Sequence, residues 1–392
     1  MLTPSAEGVE GANAAALARE LQLDARVVVG VERLLFDYAE IEDGDDVVVV
    51  FTPEVRDAAA LICLVLYTHG IPYSVVPMRA LSDRGFPDRL RSRVPKERTL
   101  PGKIVALVLE WDSMSHNQIF RDVFSGHRPE QRRIARCINA GLDLFSVGLQ
   151  PHPLEVSQRN ADLLYELQKV PEFSIESPSG TKLRVRLNSD RYDWISNRGM
   201  SENGRMIALP AGEIATFPEA ISGVLVADYA INVNCRFEGD VRLRGCPVTV
   251  TIESNKLVEF ECDDPRISSQ LQELFKMSNA TRVGELGFGT HPCVAAAVAE
   301  NSHLNERRKG VHIGFGQHNQ DATVAEYQAQ VHVDLIGAGG RIVFPDGRTL
   351  DLENVPQIGA DHPKLMKSVD LFSPEIVPPD IDPPDCCGLT CL

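Results

Sequence analysis

The segment DDVVVVF, Asp45 to Phe51, constrains this chain more than any other. An unbroken β-branched run without polar alternation suits a strand buried on both faces, as in a parallel sheet covered by helices. The flanking pattern agrees. A helix is expected from Glu54 to Gly70, a second strand at IPYSVVPM, and a third at GKIVALVLEW from Gly102 to Trp111. A helical stretch is then expected over RPEQRRIARCINAG, Arg128 to Gly141. Strands alternating with helices of this length predict a doubly wound α/β domain over residues 1–170. No GxGxxG follows the first strand and there is no Walker A sequence, so nothing announces a nucleotide.

From about Pro171 the chain turns strand-rich, with EFSIES, TKLRVRLN, RMIALP, GVLVADYAINV, VRLRG and CPVTVTIESNKLVEFEC. Lys182, Arg184 and Arg186 alternate with Leu183, Val185 and Leu187, the period of a sheet with one wet face. SPSG and ESNK read as hairpin turns. Asp-Pro opens a helix at DPRISSQLQELFKM. GELGFG follows, then a helical PCVAAAVAENSHL, strands at KGVHIGFG and AQVHVDLIG, and a hairpin at RIVFPDGRTL. Residues 171–370 thus read as an α+β domain. Residues 371–392 form a Pro- and Cys-rich tail that is expected to run extended.

Composition removes several function classes. Against 55 Asp and Glu the chain has 39 Lys and Arg, and it has no long basic run, so nucleic acid is excluded as the main partner. The longest apolar run, Ala58 to Tyr67, is too short for a membrane span, and the start has no basic segment leading an apolar one. A soluble cytoplasmic protein is expected. Of nine cysteines, Cys63, Cys137, Cys235, Cys246, Cys262 and Cys293 sit singly in apolar context, as reduced core thiols do. Cys386, Cys387 and Cys391 cluster in the tail. There they read as an unstructured end, a soft-metal clip, a redox pair or a peptide presented to a partner.

The densest metal-capable set lies in four segments of the second domain: LPAGE with Glu213, VGELGFG with Glu285, VHIGFGQHN with His312, His318 and Asn319, and QVHVDLIG with His332 and Asp334. His332 and Asp334 are two apart in an apolar strand and therefore share a face. Glycines after His312 let other groups approach. Three such ligands would make a facial triad for iron or an open zinc site. Two further carboxylates would allow a second ion. By spacing alone, a satisfied strand histidine and a solvated Glu compete with this reading.

In order and spacing the segments resemble the aminopeptidase S/T family of metallopeptidases, whose members pair an α/β domain with a domain carrying two metal ions. LPAGEIATFPE resembles that family's LPTGEVFTAP, GELGFG its GELAL, HIGFG its HLALG and HVDLIG its HVDFMIG. The likeness spans roughly Phe173 to Thr349. It implies Glu213, Glu285, His312, His332 and Asp334 as ligands of one or two divalent ions, zinc in the first instance, and a homodimer acting on peptides.

Two departures bear on activity. The family carries a tyrosine where this chain has Asn319, and an amide cannot supply a phenol. HIGFG also resembles HIGWG of 2,5-dihydroxypyridine 5,6-dioxygenase, a relative with one iron on a His-His-Asp set and PSGF in place of PAGE. Glu213 and Glu285 therefore favour a metallo-aminopeptidase-like hydrolase, with Glu213, His318 and Asn319 as candidate catalytic groups. Asn319 keeps two other readings open: a mononuclear Fe(II) oxygenase of a small substrate on His312, His332 and Asp334, and a non-catalytic peptide or partner binder. His291 and His318 read as ligand-supporting or structural histidines, and Tyr327 as a packing aromatic near the place of the missing phenol. The run from Glu306 to Lys309 reads as a solvated loop.

Overall fold

The computed structural model describes residues 16–19, 21–80, 82–95, 101–111, 115–201, 206–235, 237–320 and 324–362. The tail with Cys386, Cys387 and Cys391 lies outside the described residues. Contacts divide the chain into two compact units, one built from the segment ending at Pro153 with Gly199–Pro210, the other from Leu154–Arg198 with the segment beginning at Ala211.

The first unit holds β1 (Asp46–Phe51), β2 (Tyr73–Pro77), β3 (Ile104–Glu110), β4 (Arg132–Ile138) and, from the returning segment, β8 (Ile207–Leu209). They form one parallel sheet in the order β2-β1-β3-β4-β8. The order reverses direction between β1 and β3, as in doubly wound sheets. Every residue of β3 is buried, the expected fate of a continuous apolar strand. One face is covered by α3 (Phe86–Arg91) and α4 (Asn117–Phe124), where Phe86, Leu90, Phe120 and Phe124 pack on Val48, Val50, Ala106, Val108 and Ile134. The unit also contains α1 (Ala25–Arg33), to which the sequence pattern assigns no element, and α2 (Arg56–Thr68), which packs on β1.

The helix expected from Arg128 to Gly141 is instead strand β4. Its arginines at positions 132, 133 and 136 mimic a polar helical face. The position between β3 and β8 overrides that local preference, because the buried Arg136 is neutralised by Glu110.

The second unit begins with α5 (Pro153–Gln168) and contains two antiparallel sheets. The wider one takes β5 (Glu172–Glu176), β6 (Lys182–Arg186), β10 (Ala220–Ala227), β12 (Val248–Glu253), β13 (Lys256–Cys262), β17 (Arg341–Val343) and β18 (Thr349–Asp351). Its order is β13-β12-β10-β6-β5-β17-β18. The other takes β7 (Trp194–Asn197), β9 (Glu213–Thr216), β11 (Ala230–Val233), β14 (Val283–Gly289), β15 (Gly310–Gly316) and β16 (His332–Ala338), in the order β11-β16-β15-β14-β9-β7. Inner faces of both sheets share one core, with Ile175, Leu183, Val185, Leu225 and Val250 meeting Leu286, Phe288, Ile313, Phe315, Val333 and Leu335. The β12–β13 turn places Ser254 and Asn255 at φ 49° and 63°, the conformation a two-residue hairpin of matching twist needs. Asp264 caps α6 (Pro265–Phe275), accepting from Arg266 N and Ile267 N, and Ile267, Leu271 and Leu274 enter the core.

Three further expectations are corrected. VRLRG gives only an isolated bridge, Ala230 to Arg242. PCVAAAVAENSHL is not a helix, because its backbone groups find partners elsewhere. Val298 N donates to Asn305 Oδ1, Ala299 O accepts from Val241 N, and Asn301 pairs through its side chain with Val233 N and O. Of the six described cysteines only Cys137 and Cys235 are core thiols, Cys63, Cys246 and Cys262 being half-buried and Cys293 exposed, and none of the six is in a disulfide. No described helix is long and apolar enough to cross a membrane.

Candidate metal centre

Four adjacent strands carry the five proposed ligands on one face. Glu213 opens β9, Glu285 lies on β14, His312 on β15, and His332 and Asp334 on β16. The opposite side chains of the same strands, Leu286, Phe288, Ile313, Phe315, Val333 and Leu335, fill the core. Period-two alternation thus separates the ligands from the core. A register shift between Val283 and Glu285 corrects the phase, letting Val283 join the core while Glu285 joins the ligand face.

Across the strands, ligands face glycines. Glu213 pairs with Gly289, His312 with Gly287, Asp334 with Gly314 and His332 with Gly316. A Cβ on Gly287 would lie 2.0 Å from His312 Nε2, and one on Gly314 would lie 2.6 Å from His332 Cε1. The glycines of GELGFG and HIGFG are therefore the space in which the imidazoles lie.

Two donor sets result, Glu213-Glu285-His312 and Glu285-His332-Asp334, each with ligand atoms within 4.8 Å of one another. Glu285 belongs to both. His312 Nε2 stands 2.9 Å from Glu213 Oε1 and 3.5 Å from Glu285 Oε1, yet neither of its buried ring nitrogens makes an aligned hydrogen bond. His332 is better held. Its Nδ1 donates to Gln317 O at 2.8 Å, fixing the tautomer that leaves Nε2 beside Asp334 Oδ1 at 3.0 Å. A backbone carbonyl on the far nitrogen is the usual support of a metal-binding histidine. An orphaned imidazole nitrogen aimed at two carboxylates, with a second histidine held from behind, fits a divalent ion.

Burial opposes charge here, and neighbours decide each group. Burial raises the Glu213 carboxyl, but Arg307 and His312 outweigh it and hold it below the ordinary range. Burial lowers the imidazoles, but Glu213 and Glu285 push His312 well above its usual value, and Asp334 raises His332 to about 10. Asp334, raised by burial and lowered more by His332, falls to about 2.

Several residues of the centre were not visible as such in the sequence. Glu306 and Arg307, in the run expected to be a solvated loop, are 5% and 2% exposed. Arg307 Nη1 donates to Glu213 Oε2 and, at 3.0 Å, to Glu306 Oε2. Burial and the Asp334 charge push Glu306 well above the carboxylate range. Asn232 donates to Glu306 Oε1, and Asn234 Oδ1 accepts from His332 N at 2.7 Å. Asn232 and Asn234 had a signal, polar residues two apart in the apolar AINVN, like the HVD pair. Glu306 and Arg307 had none.

The remaining candidates divide. Asn319 Nδ2 donates to Glu285 Oε2 at 2.8 Å, which places it at the centre. His318 is turned to the backbone, with Nε2 on Tyr327 O at 2.7 Å and Nδ1 accepting from Gln320 N. Tyr327 packs on His318 and Phe217, and its hydroxyl donates to Gly316 O at 3.0 Å. His291 is buried and accepts from Cys293 N.

The fold is that of a two-domain mixed α/β class in which a parallel sheet accompanies antiparallel ones, and solved proteins share it. The chain is similar to 2,5-dihydroxypyridine dioxygenase from Pseudomonas putida KT2440, at 12% identity and TM-score 0.58, over 82% of this chain and 95% of that one. It is also similar to AmpT from Thermus thermophilus, at 16% identity and TM-score 0.52, over 83% and 97%. Residues 227–340 match a family described as crocagin biosynthetic protein CgnE/B. That stretch includes every proposed ligand except Glu213. No curated protein matches the chain.

Proposed function

We propose that the chain is a metal-dependent hydrolase of aminopeptidase type, cleaving a peptide or amide bond with metal-activated water. The observation that carries this reading is the pair of three-donor sets joined at Glu285. A divalent ion bound there would lower the pKa of its water and polarise a carbonyl. Glu213, kept ionised by Arg307 and His312, is the carboxylate available to take the proton of the attacking water. The resemblance of LPAGE, GELGFG, HIGFG and HVDLIG to the aminopeptidase S/T motifs supports an amide substrate, and the description of the matched family supports a biosynthetic setting.

The test is hydrolysis of aminoacyl p-nitroanilides by ion-stripped protein reloaded with zinc. Activity that appears with the ion and vanishes in His332→Ala is expected. Ferrous-dependent oxygen uptake without amide cleavage would replace this reading by an oxygenase.

A second reading, a binding protein without turnover, is favoured by one observation. The amide of Asn319, standing where a phenol is expected, is committed to Glu285. It predicts peptide binding that persists in His332→Ala.

A further inference from the structure

Apart from the metal centre, the second unit has a recess of about 320 Å³, part of it open to solvent, whose polar lining is Arg159, Asp162, Thr290, Lys309, Glu353 and Gln357. Four stretches of chain meet there. Arg159 and Asp162 lie three apart on α5 and so share a face. Thr290 follows β14, Lys309 precedes β15, and Glu353 and Gln357 belong to the segment after β18. Asp162 and Thr290 are 1% and 6% exposed, which makes a carboxylate and a hydroxyl the inner wall. Arg159 and Lys309 are half-buried and Gln357 is exposed, so the cations stand nearer the mouth.

Two of the four charged lining residues are already matched. Arg159 Nη2 donates to Glu155 Oε1 at 2.9 Å, and Arg308 Nη1 to Glu353 Oε2 at 3.0 Å. Asp162 and Lys309 are not. Lys309 Nζ reaches only the backbone carbonyl of Glu353, at 3.0 Å, which leaves two of its N–H groups and its charge uncommitted. Asp162 Oδ1 accepts from Gln158 Nε2 and Ala360 N, both at 2.9 Å, whereas the buried Oδ2 has no partner. A buried carboxylate oxygen with neither donor nor counter-ion is costly, and a cationic N–H donor entering the recess would remove that cost. One unmatched anion on the inner wall and one unmatched cation toward the mouth are the complement of a small zwitterion.

We propose that the recess binds a free α-amino acid, with its ammonium on Asp162 Oδ2 and its carboxylate on Lys309. The site needs no metal and is separate from the centre. Thr290 Oγ1 donates to Asn160 Oδ1, and Asn160 Nδ2 donates to Glu213 O at 2.9 Å, so two side chains stand between the recess and the backbone of the nearest proposed ligand.

The experiment is calorimetric titration of ion-stripped protein with the common L-α-amino acids, supplied singly at millimolar concentration. Saturable binding of at least one of them, at one site per chain, is expected. Its N-acetyl derivative, which lacks the ammonium, and its amide, which lacks the carboxylate, should each bind at least about tenfold more weakly, as loss of a charged hydrogen bond implies. The same loss is expected in Asp162→Asn, which keeps Oδ1 for Gln158 and Ala360. Lys309→Met should show it too, and serves alone if the buried substitution does not fold. His332→Ala should bind like wild type. Absence of binding by every amino acid overturns the proposal, as does unchanged affinity in folded Asp162→Asn or Lys309→Met. Ammonium chloride binding as tightly as the amino acid would show that no carboxylate is read, and loss of binding in His332→Ala alone would move the amino acid to the metal centre; either result also overturns it.

Discussion

Asn319 is tied to Glu285 by a 2.8 Å hydrogen bond from Nδ2 to Oε2. The bond aims the carboxylate shared by both donor sets and leaves its other oxygen toward His312. Supports of this kind typically change ion affinity about 10- to 100-fold when removed. Asn319→Ala is therefore expected to weaken zinc binding by that factor in a chelator competition, with an unchanged far-UV spectrum. Unaltered affinity would mean that the amide only fills space.

Glycine spacing gives a second expectation. Adding a methyl at Gly287 would bring a carbon within 2.0 Å of His312 Nε2, and at Gly314 within 2.6 Å of His332 Cε1. Neither ring can retreat, since both are buried. Gly287→Ala and Gly314→Ala should each lower stability by about 1–3 kcal/mol, as overpacking does, and Gly314→Ala should lose the ion. Gly126→Ala, where the added carbon meets nothing within 4 Å, is the control and should change neither melting nor ion content.

The ion-free protein should also respond to alkali. Burial would lower His332, but Asp334 raises it to about 10, above the value of ~6.5 for an unfolded histidine. Between those limits the folded state keeps a proton that the unfolded state has lost. Stability is therefore full below ~6.5 and declines toward 10, by at most about 1.4 kcal/mol per pH unit from this group. Asp334, depressed to about 2, acts oppositely, contributing above ~3.9 and losing its contribution as pH falls toward 2. Urea unfolding in chelator across the alkaline window should show the decline, and His332→Gln should reduce it to the share of His312, which Glu213 and Glu285 also raise. An equal slope in that variant would place the titration elsewhere.

Much of this was legible in residue order. DDVVVVF and GKIVALVLEW reported a strand buried on both faces because a parallel sheet covered by helices offers that environment. HVD reported a shared face because the strand period is two, and the glycines of GELGFG and HIGFG reported close approach. What escaped depended on partners distant in the chain. The arginines of β4 look like one side of a helix until Glu110 is set against Arg136. Glu306 and Arg307 look like solvated charges until Glu213, 94 residues away from Arg307, is brought beside them. Local pattern encodes burial and phase, but it does not encode which distant carboxylate meets which guanidinium.

The Glu110–Arg136 pair lets that last point be measured in the first unit. Arg136 is fully buried; its Nε donates to Glu110 Oε2 at 3.1 Å and its Nη2 to Ser115 O at 2.8 Å. Glu110 Oε1 accepts from Ser115 N and Oγ, both at 2.8 Å. Removing one partner strands a buried charge, so Glu110→Leu is expected to cost about 3–5 kcal/mol in urea unfolding. Arg136→Met should cost a similar amount. Because apolar pairs of like volume often replace buried ion pairs with little loss, the double variant should be more stable than either single one. A sum of the two single losses in the double variant would show that the charges do not depend on each other, and neutralisation of Arg136 by Glu110 would then no longer account for a strand where the local sequence favours a helix.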